Sequence, residues 1–160
     1  SYVWTSLRRL GVRERDLEDL VHEVFLVVHR HLADYDPRRP VRPWLFGISF
    51  RVAAAYRRLA RTQRELVSDS IEAVDMEPSA HDRVESKQAQ ELVMKALDML
   101  DLDRRALILM HEFDELTMPE IAEIIGVPLN TAYSRLRLAR EQFTAACRRI
   151  QAASRRGGPR

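Results

Sequence analysis

The stretch Pro119–Arg140 reads PEIAEIIGVPLNTAYSRLRLAR, an apolar half joined through Gly126 to a half that carries Arg135, Arg137 and Arg140. Just ahead of it, Thr117 precedes Glu120 by three residues. That is the spacing at which a hydroxyl caps a helix and a carboxylate returns the bond, and Pro119 falls harmlessly in the first turn. Ile121, Ile124 and Ile125 form the core face of this helix, Gly126 supplies the positive backbone angle of a tight turn, and Pro128 helps to start a second helix. On that second helix Ala132, Leu136, Ala139 and Phe143 share the inward stripe, so Tyr133, Arg137 and Arg140 point out with Ser134 beside them. With small Ala122 where the helices cross and Val127 after the turn, the pattern is that of a helix-turn-helix. Its physics suits DNA: a helix fits the major groove, outward side chains reach base edges, and arginines with the helix amino terminus hold phosphate. An αα-hairpin with a solvated basic face would read the same way.

Working outward, a helix near Lys87–Leu100 carries Leu92, Val93, Ala96, Leu97 and Leu100, and another runs from Arg104 to Phe113. Before them LVSDSIEAVDMEPSAHDRVE, from Leu66 to Glu85, loses helical periodicity and reads as an acidic linker. Upstream, Leu17, Leu20, Val21, Val24 and Val28 mark one stripe of a helix whose early acids suit its dipole. DPRRPVRP then forms a stiff basic loop in which three prolines stop the helix. A further helix from about Trp44 to Arg64 has Leu45, Ile48, Val52, Ala55 and Leu59 as its buried stripe and Arg51, Arg58 and Arg61 on another face. The fold class is therefore all-α: two small helical domains, residues 1–65 and 87–150, joined by an acidic linker at 66–86, the second a helix-turn-helix domain. Residues 151–160 read as a disordered basic tail.

Charge is segregated along the chain although the net value is only +2. Residues 14–36 are acidic, whereas residues 38–64 hold eight arginines and no acid; residues 101–123 are again mostly acidic, and residues 126–160 carry eight arginines against Glu141 alone. Arginine-dominated segments that each follow a packing helix suit an acidic polymer better than a merely solvated face. Apolar runs far shorter than roughly 18 residues exclude a membrane span, and no signal sequence opens the chain. A single cysteine, Cys147, excludes a disulfide framework and a cysteine zinc site, and makes a reducing cytosol the natural home. A first residue of Ser1 reads as a trimmed start.

Catalysis finds little support. HEVFL at His22 is not HExxH because position 26 is Leu, and although His29 can share a face with His22, no carboxylate or cysteine at ligand spacing completes a metal site. There is no glycine-rich phosphate loop, and Cys147 among Ala145, Ala146 and arginines reads as packing. No active site and no cofactor are expected.

Two motifs in order, DLEDLVHEVFLVVHRHLADYDPRRPVRPWLFGISFRVAA and LTMPEIAEIIGVPLNTAYSRLRLAR, resemble the second and fourth conserved regions of bacterial sigma factors. A short acidic linker with no third domain resembles the extracytoplasmic-function (ECF) group. The resemblance covers about residues 1–65 and 88–149. It implies a cytoplasmic bacterial transcription initiation factor. Such a factor binds core RNA polymerase at the largest-subunit clamp helices and the flap, directs it to promoter DNA, helps to open the minus-ten element, and is subject to an anti-sigma factor.

Matched by position, Asp16, Asp19, Leu20, His22, Glu23 and Phe25 would grip the clamp helices, with His22 where glutamine is usual. The loop Pro37–Pro43 and the following helix would take an unstacked base at the minus-ten element, with Arg38, Arg39, Arg42, Trp44, Phe50, Arg51, Arg57, Arg58 and Arg61 as contacts. Trp44 serves equally as a core aromatic or a stacking platform, and Phe50 stacks or packs. GISFR stands where the family often has RIARN, so Gly47, Phe50 and Arg51 replace arginine, arginine and asparagine. In the helix-turn-helix, Tyr133 stands where lysine or arginine is usual. Tyr133, Ser134 and Arg137 are expected at base edges of the minus-thirty-five element, with Asn130, Thr131, Arg135 and Arg140 on phosphate. The linker's carboxylates would thread the polymerase channel that later holds RNA. Two other readings are a dimeric helix-turn-helix regulator that works without polymerase and a protein-interaction module whose basic faces meet an acidic protein; a dimeric regulator needs neither the acidic first motif nor the linker, whereas a sigma factor needs both.

Overall fold

Seven α-helices carry the architecture of this computed structural model, which describes residues 1–66 and 84–156, and among the described residues there is no strand. In chain order they are α1 (Tyr2–Arg9), α2 (Leu17–His31), α3 (Val41–Leu66), α4 (Val84–Asp98), α5 (Leu102–Ile108), α6 (Met118–Ile125) and α7 (Leu129–Arg156). Short 3-10 turns at Glu14–Asp16 and Leu32–Asp34 bracket α2, and a π turn at Leu109–Phe113 extends α5. Caps set several starts. Ser1 accepts from the Trp4 amide, Asp101 accepts from the Arg104 amide at 2.9 Å, and Thr117 forms the expected box, its amide donating to Glu120 at 2.8 Å.

Helices α1, α2 and α3 pack on one another, as do α4, α5 and α6 on α7. The two groups are not insulated, because α6 also lies on α3 and a single apolar core runs from Leu7, Leu10 and Leu17 through Leu97, Ile108 and Ile121 to Leu136. Polar links cross the same boundary. The Tyr2 hydroxyl donates to Asp114 at 2.7 Å, Arg9 lies over the Phe113 ring at 4.7 Å, and Arg105, only 1% exposed, donates to the Arg9 carbonyl and to Asp98 at 2.7 Å. Burial is the chief reason that the Tyr2 hydroxyl and the Asp114 carboxyl are both pushed up from their ordinary ranges.

The structure corrects several boundaries. The helix expected from Trp44 begins at Val41, directly after Pro40, and absorbs Pro43 into its first turn, where the missing amide has no intrahelical partner to lose. Only part of the loop Pro37–Pro43 is therefore loop. The buried face of α3 is also rotated: Ile48 and Val52 are buried as expected, joined by Phe46, Ser49 and Ala53, but Ala55 and Leu59 are exposed. A helix that packs on α1 and α2 on one side and on α6 on another has a wider, displaced stripe than a single neighbour would impose. Helix α4 starts at Val84, inside the segment assigned to the linker, and α7 continues to Arg156, so residues 151–156 are helical rather than a disordered tail. The remainder of the acidic linker, 67–83, and residues 157–160 lie outside the described residues.

Two glycines hold left-handed backbone, Gly11 at φ 88° and Gly126 at φ 69°. A Cβ at Gly126 would meet open space, whereas one at Gly11 would collide with the guanidinium of Arg57 and come within 2.9 Å of Arg105. Gly126→Ala is expected to cost about 1 kcal/mol in urea unfolding, the backbone penalty alone. Gly11→Ala is expected to cost clearly more; equal losses would show that the close approach of the two arginines does not govern this turn.

Candidate nucleic-acid and protein interfaces

The stripe Leu17, Leu20 and Val24 turns α2 onto the core, which leaves the opposite face of the helix in solvent. Asp19, His22, Glu23 and Phe25 stand exposed there, so four of the six residues matched to the clamp-helix surface lie on one accessible patch. The other two do not. Leu20 is 8% exposed within the core, and Asp16 is half-buried, accepting a 2.6 Å hydrogen bond from the Tyr56 hydroxyl of α3. Burial first, and Asp16 second, raise the Tyr56 hydroxyl above its ordinary range. Leu26 and Leu32 are exposed as well. The signal for Leu26 was present in the sequence, since it falls off the core stripe, but the motif did not include it. His22 and His29 are both exposed, and among the described residues no group of three His, Cys, Asp or Glu side chains could hold a metal ion.

The residues matched to the minus-ten element separate into two places. At the first, Tyr35 and Trp44 pack with ring centroids 4.7 Å apart and planes tilted by 34°. The Tyr35 hydroxyl donates to the Arg39 carbonyl at 2.6 Å and so ties the proline-rich turn to the aromatic pair. The pair walls a cavity of about 180 Å³ that Gly47 and Arg51 continue, while Glu120 and Glu123 of α6 stand at its other side. Arg39 reaches across with both nitrogens to Glu123, at 3.1 and 2.6 Å. Arg38 instead forks onto Asp36 at 3.0 and 3.1 Å. These guanidinium bonds hold the Asp36 and Glu123 carboxyls below their ordinary range. Arg42 lies 5.8 Å above the Tyr2 ring. Trp44 and Phe50 are half-buried against the core, so Phe50 packs, and Trp44 both packs and stacks. Tyr35 was missed by sequence reading because an aromatic in a turn carries no periodic signal.

The second place is a cleft of about 820 Å³ lined by Arg57, Arg58 and Arg61 of α3, by Arg13 from the turn before α2, and by Asp101 and Asp103. Arg57 departs from the outward basic ridge: it is half-buried, and desolvation lowers its guanidinium from the ordinary range. The contacts assigned to the minus-ten element thus do not form one continuous surface.

On α7 the inward stripe is as read, with Ala132, Leu136 and Ala139 buried and Phe143 half-buried. Tyr133 is 55% exposed, and Asn130, Ser134, Arg135, Arg137 and Arg140 are exposed with it, whereas Thr131 is half-buried. Ser134 donates back to the Asn130 carbonyl at 3.0 Å. Arg137 donates to Glu141 at 2.8 Å, and Arg140 to Glu112 at 2.7 Å with His111 Nδ1 at 3.1 Å. Exposed pairs of this kind are worth at most about 1 kcal/mol, so they leave these arginines able to take other acceptors.

A family model described as sigma-70 region 2 matches residues 1–71, and one described as sigma-70, region 4 matches residues 90–143. RNA polymerase sigma factor NccH of Alcaligenes xylosoxydans xylosoxydans is 28% identical over 144 residues, covering 88% of this chain and 77% of the relative. The ECF RNA polymerase sigma-E factor of Escherichia coli (strain K12) is 27% identical over 147 residues, covering 85% and 76%. Among solved structures, the sigma factor RpoE in complex with the anti-sigma factor NepR from Bartonella quintana superposes with a TM-score of 0.69 at 22% identity, over 91% of this chain and 89% of that one.

The bond between Tyr56 and Asp16 separates a scaffold role from a contact role within the acidic motif. Tyr56→Phe is expected to lower stability by about 1 kcal/mol in urea unfolding, the ordinary net worth of such a bond. No change would mean that the bond does not hold α2 against α3.

Proposed function

The chain belongs to the sigma-70 family, in its ECF group, and is a transcription initiation factor that binds RNA polymerase; from that premise we propose how its surfaces divide the work. Residues 1–66 form the domain that holds core polymerase and opens the minus-ten element, residues 84–156 form the domain that anchors the minus-thirty-five element, and residues 67–83 link them. The exposed face of Asp19, His22, Glu23, Phe25 and Leu26 receives the polymerase clamp helices. The observation that carries this reading is that the face lies on a helix separate from both the aromatic cavity and the exposed arginines of α7. Three tasks therefore have three surfaces.

At the minus-ten element, a base leaving the stack would enter the cavity beside Tyr35 and Trp44, with Arg39 and Arg51 on the strand's phosphates. Base–aromatic stacking is worth about 1–3 kcal/mol per base, which offsets the few kcal/mol lost on unstacking, so opening needs no nucleotide hydrolysis. On α7, Tyr133, Ser134 and Arg137 read base edges, and Asn130, Arg135 and Arg140 hold phosphate. The polymerase supplies the chemistry, and this chain supplies position and strand capture. Its place of action is the bacterial cytoplasm, where polymerase and chromosome are. An anti-sigma factor is a further proposed partner, supported by the shared architecture with the structural neighbour.

Core polymerase supplemented with the protein is expected to show permanganate-reactive thymines over the minus-ten region of its own promoters. Absence of both core binding and opened bases on a genomic template library would defeat the reading. Arg137→Ala is expected to weaken duplex promoter binding by about 1–3 kcal/mol. Glu23→Ala is expected to weaken core binding by about 1 kcal/mol with DNA contacts unchanged. Equal loss of both activities in both folded variants would contradict the division of labour.

A further inference from the structure

The larger cleft, about 820 Å³ between α3 and the start of α5, shares no lining residue with the aromatic cavity, and its chemistry is different. Arg13, Arg57, Arg58 and Arg61 line it, and none of the four makes an ion pair among the described residues. Arginines on a freely solvated face need no partner. Here, however, Arg13 and Arg57 are half-buried, and desolvation lowers the Arg57 guanidinium from its ordinary range. Gly11 belongs to the same wall, and only its missing side chain lets the guanidinium groups of Arg57 and the buried Arg105 approach one point. Burial is the chief cause that lowers the Arg105 guanidinium, the Arg57 charge adds to it against Asp98, and Arg105 Nη2 has no hydrogen-bond partner among the described residues. Cations gathered this closely with so few acceptors make a site for an anion.

The acceptors in the cleft are few and unequal. Asp101 is engaged by Arg104, from which it accepts both a backbone and a guanidinium bond. Asp103 is exposed and makes no hydrogen bond or ion pair among the described residues. Tyr56, fixed by its 2.6 Å bond to Asp16, and Leu102 add an aromatic and an apolar part to the lining. A space of several hundred Å³ takes a ligand of nucleotide size. Four guanidinium groups and one unengaged carboxylate suit a ligand that is anionic at one end and a hydrogen-bond donor at the other. Because an ionised carboxylate only accepts, it favours an edge with two adjacent N–H groups. Guanine offers that edge at N1 and its 2-amino group, whereas adenine sets an acceptor nitrogen beside its amino group.

We propose that this cleft binds a guanine nucleoside polyphosphate, with its phosphates on Arg13, Arg57, Arg58 and Arg61 and its guanine edge on Asp103. Arg57, Arg58 and Arg61 then answer to a small soluble anion rather than to the minus-ten strand, which accounts for their distance from Tyr35 and Trp44. The chain thereby carries a ligand site apart from its polymerase and promoter surfaces.

Calorimetric titration of the full chain, without DNA, with GTP, ATP, inorganic tripolyphosphate and a single-stranded oligonucleotide tests this. GTP is expected to bind at one site, at least about tenfold more tightly than ATP or tripolyphosphate. Asp103→Asn is expected to erase that preference and to leave tripolyphosphate binding unchanged. Arg61→Ala is expected to weaken GTP and tripolyphosphate alike, by about fivefold, with an unchanged thermal midpoint. Both substitutions fall on exposed positions and leave the core untouched. Absence of saturable GTP binding up to millimolar concentration overturns the proposal. Equal affinity for GTP and ATP, or a preference for GTP that survives in Asp103→Asn, overturns it as well. Displacement of bound GTP by the oligonucleotide would return the cleft to the DNA strand and overturn it too.

Discussion

A guanidinium taken almost wholly out of water sits where the two halves of this chain meet. Arg105 is 1% exposed, and a buried cation is tolerated only where acceptors replace its hydration. Asp98 supplies one from the preceding helix, and the carbonyl of Arg9 supplies another from the far end of α1. Desolvation lowers this guanidinium from its ordinary range while Asp98 opposes the shift. Gly11, lacking a side chain and turned to positive φ, gives it the space. The constraint therefore fixes the turn after α1, the approach of α4 and α5, and through them the position of everything carried on α7.

Around that junction the apolar packing is ordinary, and its ordinariness is what frees the surface. Because Leu17, Leu20 and Val24 satisfy α2, its opposite face can keep Phe25 and Leu26 in solvent, an arrangement that a monomer gains nothing from on its own. Because Ala132, Leu136 and Ala139 satisfy α7, Arg137 and Arg140 stay outside the core, where they pair with Glu141 and Glu112. The side chains left in solvent on both helices are those that the core does not need.

What could be read in advance follows from the range of the interactions. The capping box at Thr117, the turn at Gly126 and the inward stripe of α7 are local, each set by residues a few positions apart, and all were legible in the sequence. The arginine blocks suggested an acidic polymer as partner, whereas the polymerase entered through the family resemblance and not through the charge pattern. The buried face of α3 was misplaced at Ala55 and Leu59 because α3 answers to two sets of neighbours, and periodicity assumes one. Pairs such as Tyr2 with Asp114 and Arg39 with Glu123 join residues 112 and 84 positions apart, and no pattern in a single sequence connects them. Asp16 and Leu20 show the limit of reading by motif: both stand in the acidic pattern, yet one is bonded to Tyr56 and the other packs inward.

The length of α7 has a mechanical side. Its 28 residues make a rod of about 42 Å, with Tyr133, Ser134 and Arg137 near one end and Arg148, Arg149 and Ile150 toward the other. Residues 151–154 of its last turns are exposed, and alanines and glutamine of good helical propensity sustain them. A rigid rod transmits rotation without loss. A small tilt imposed at the carboxyl end would displace Tyr133 by an amount set by the lever arm, so the two ends of α7 are mechanically coupled over its whole length.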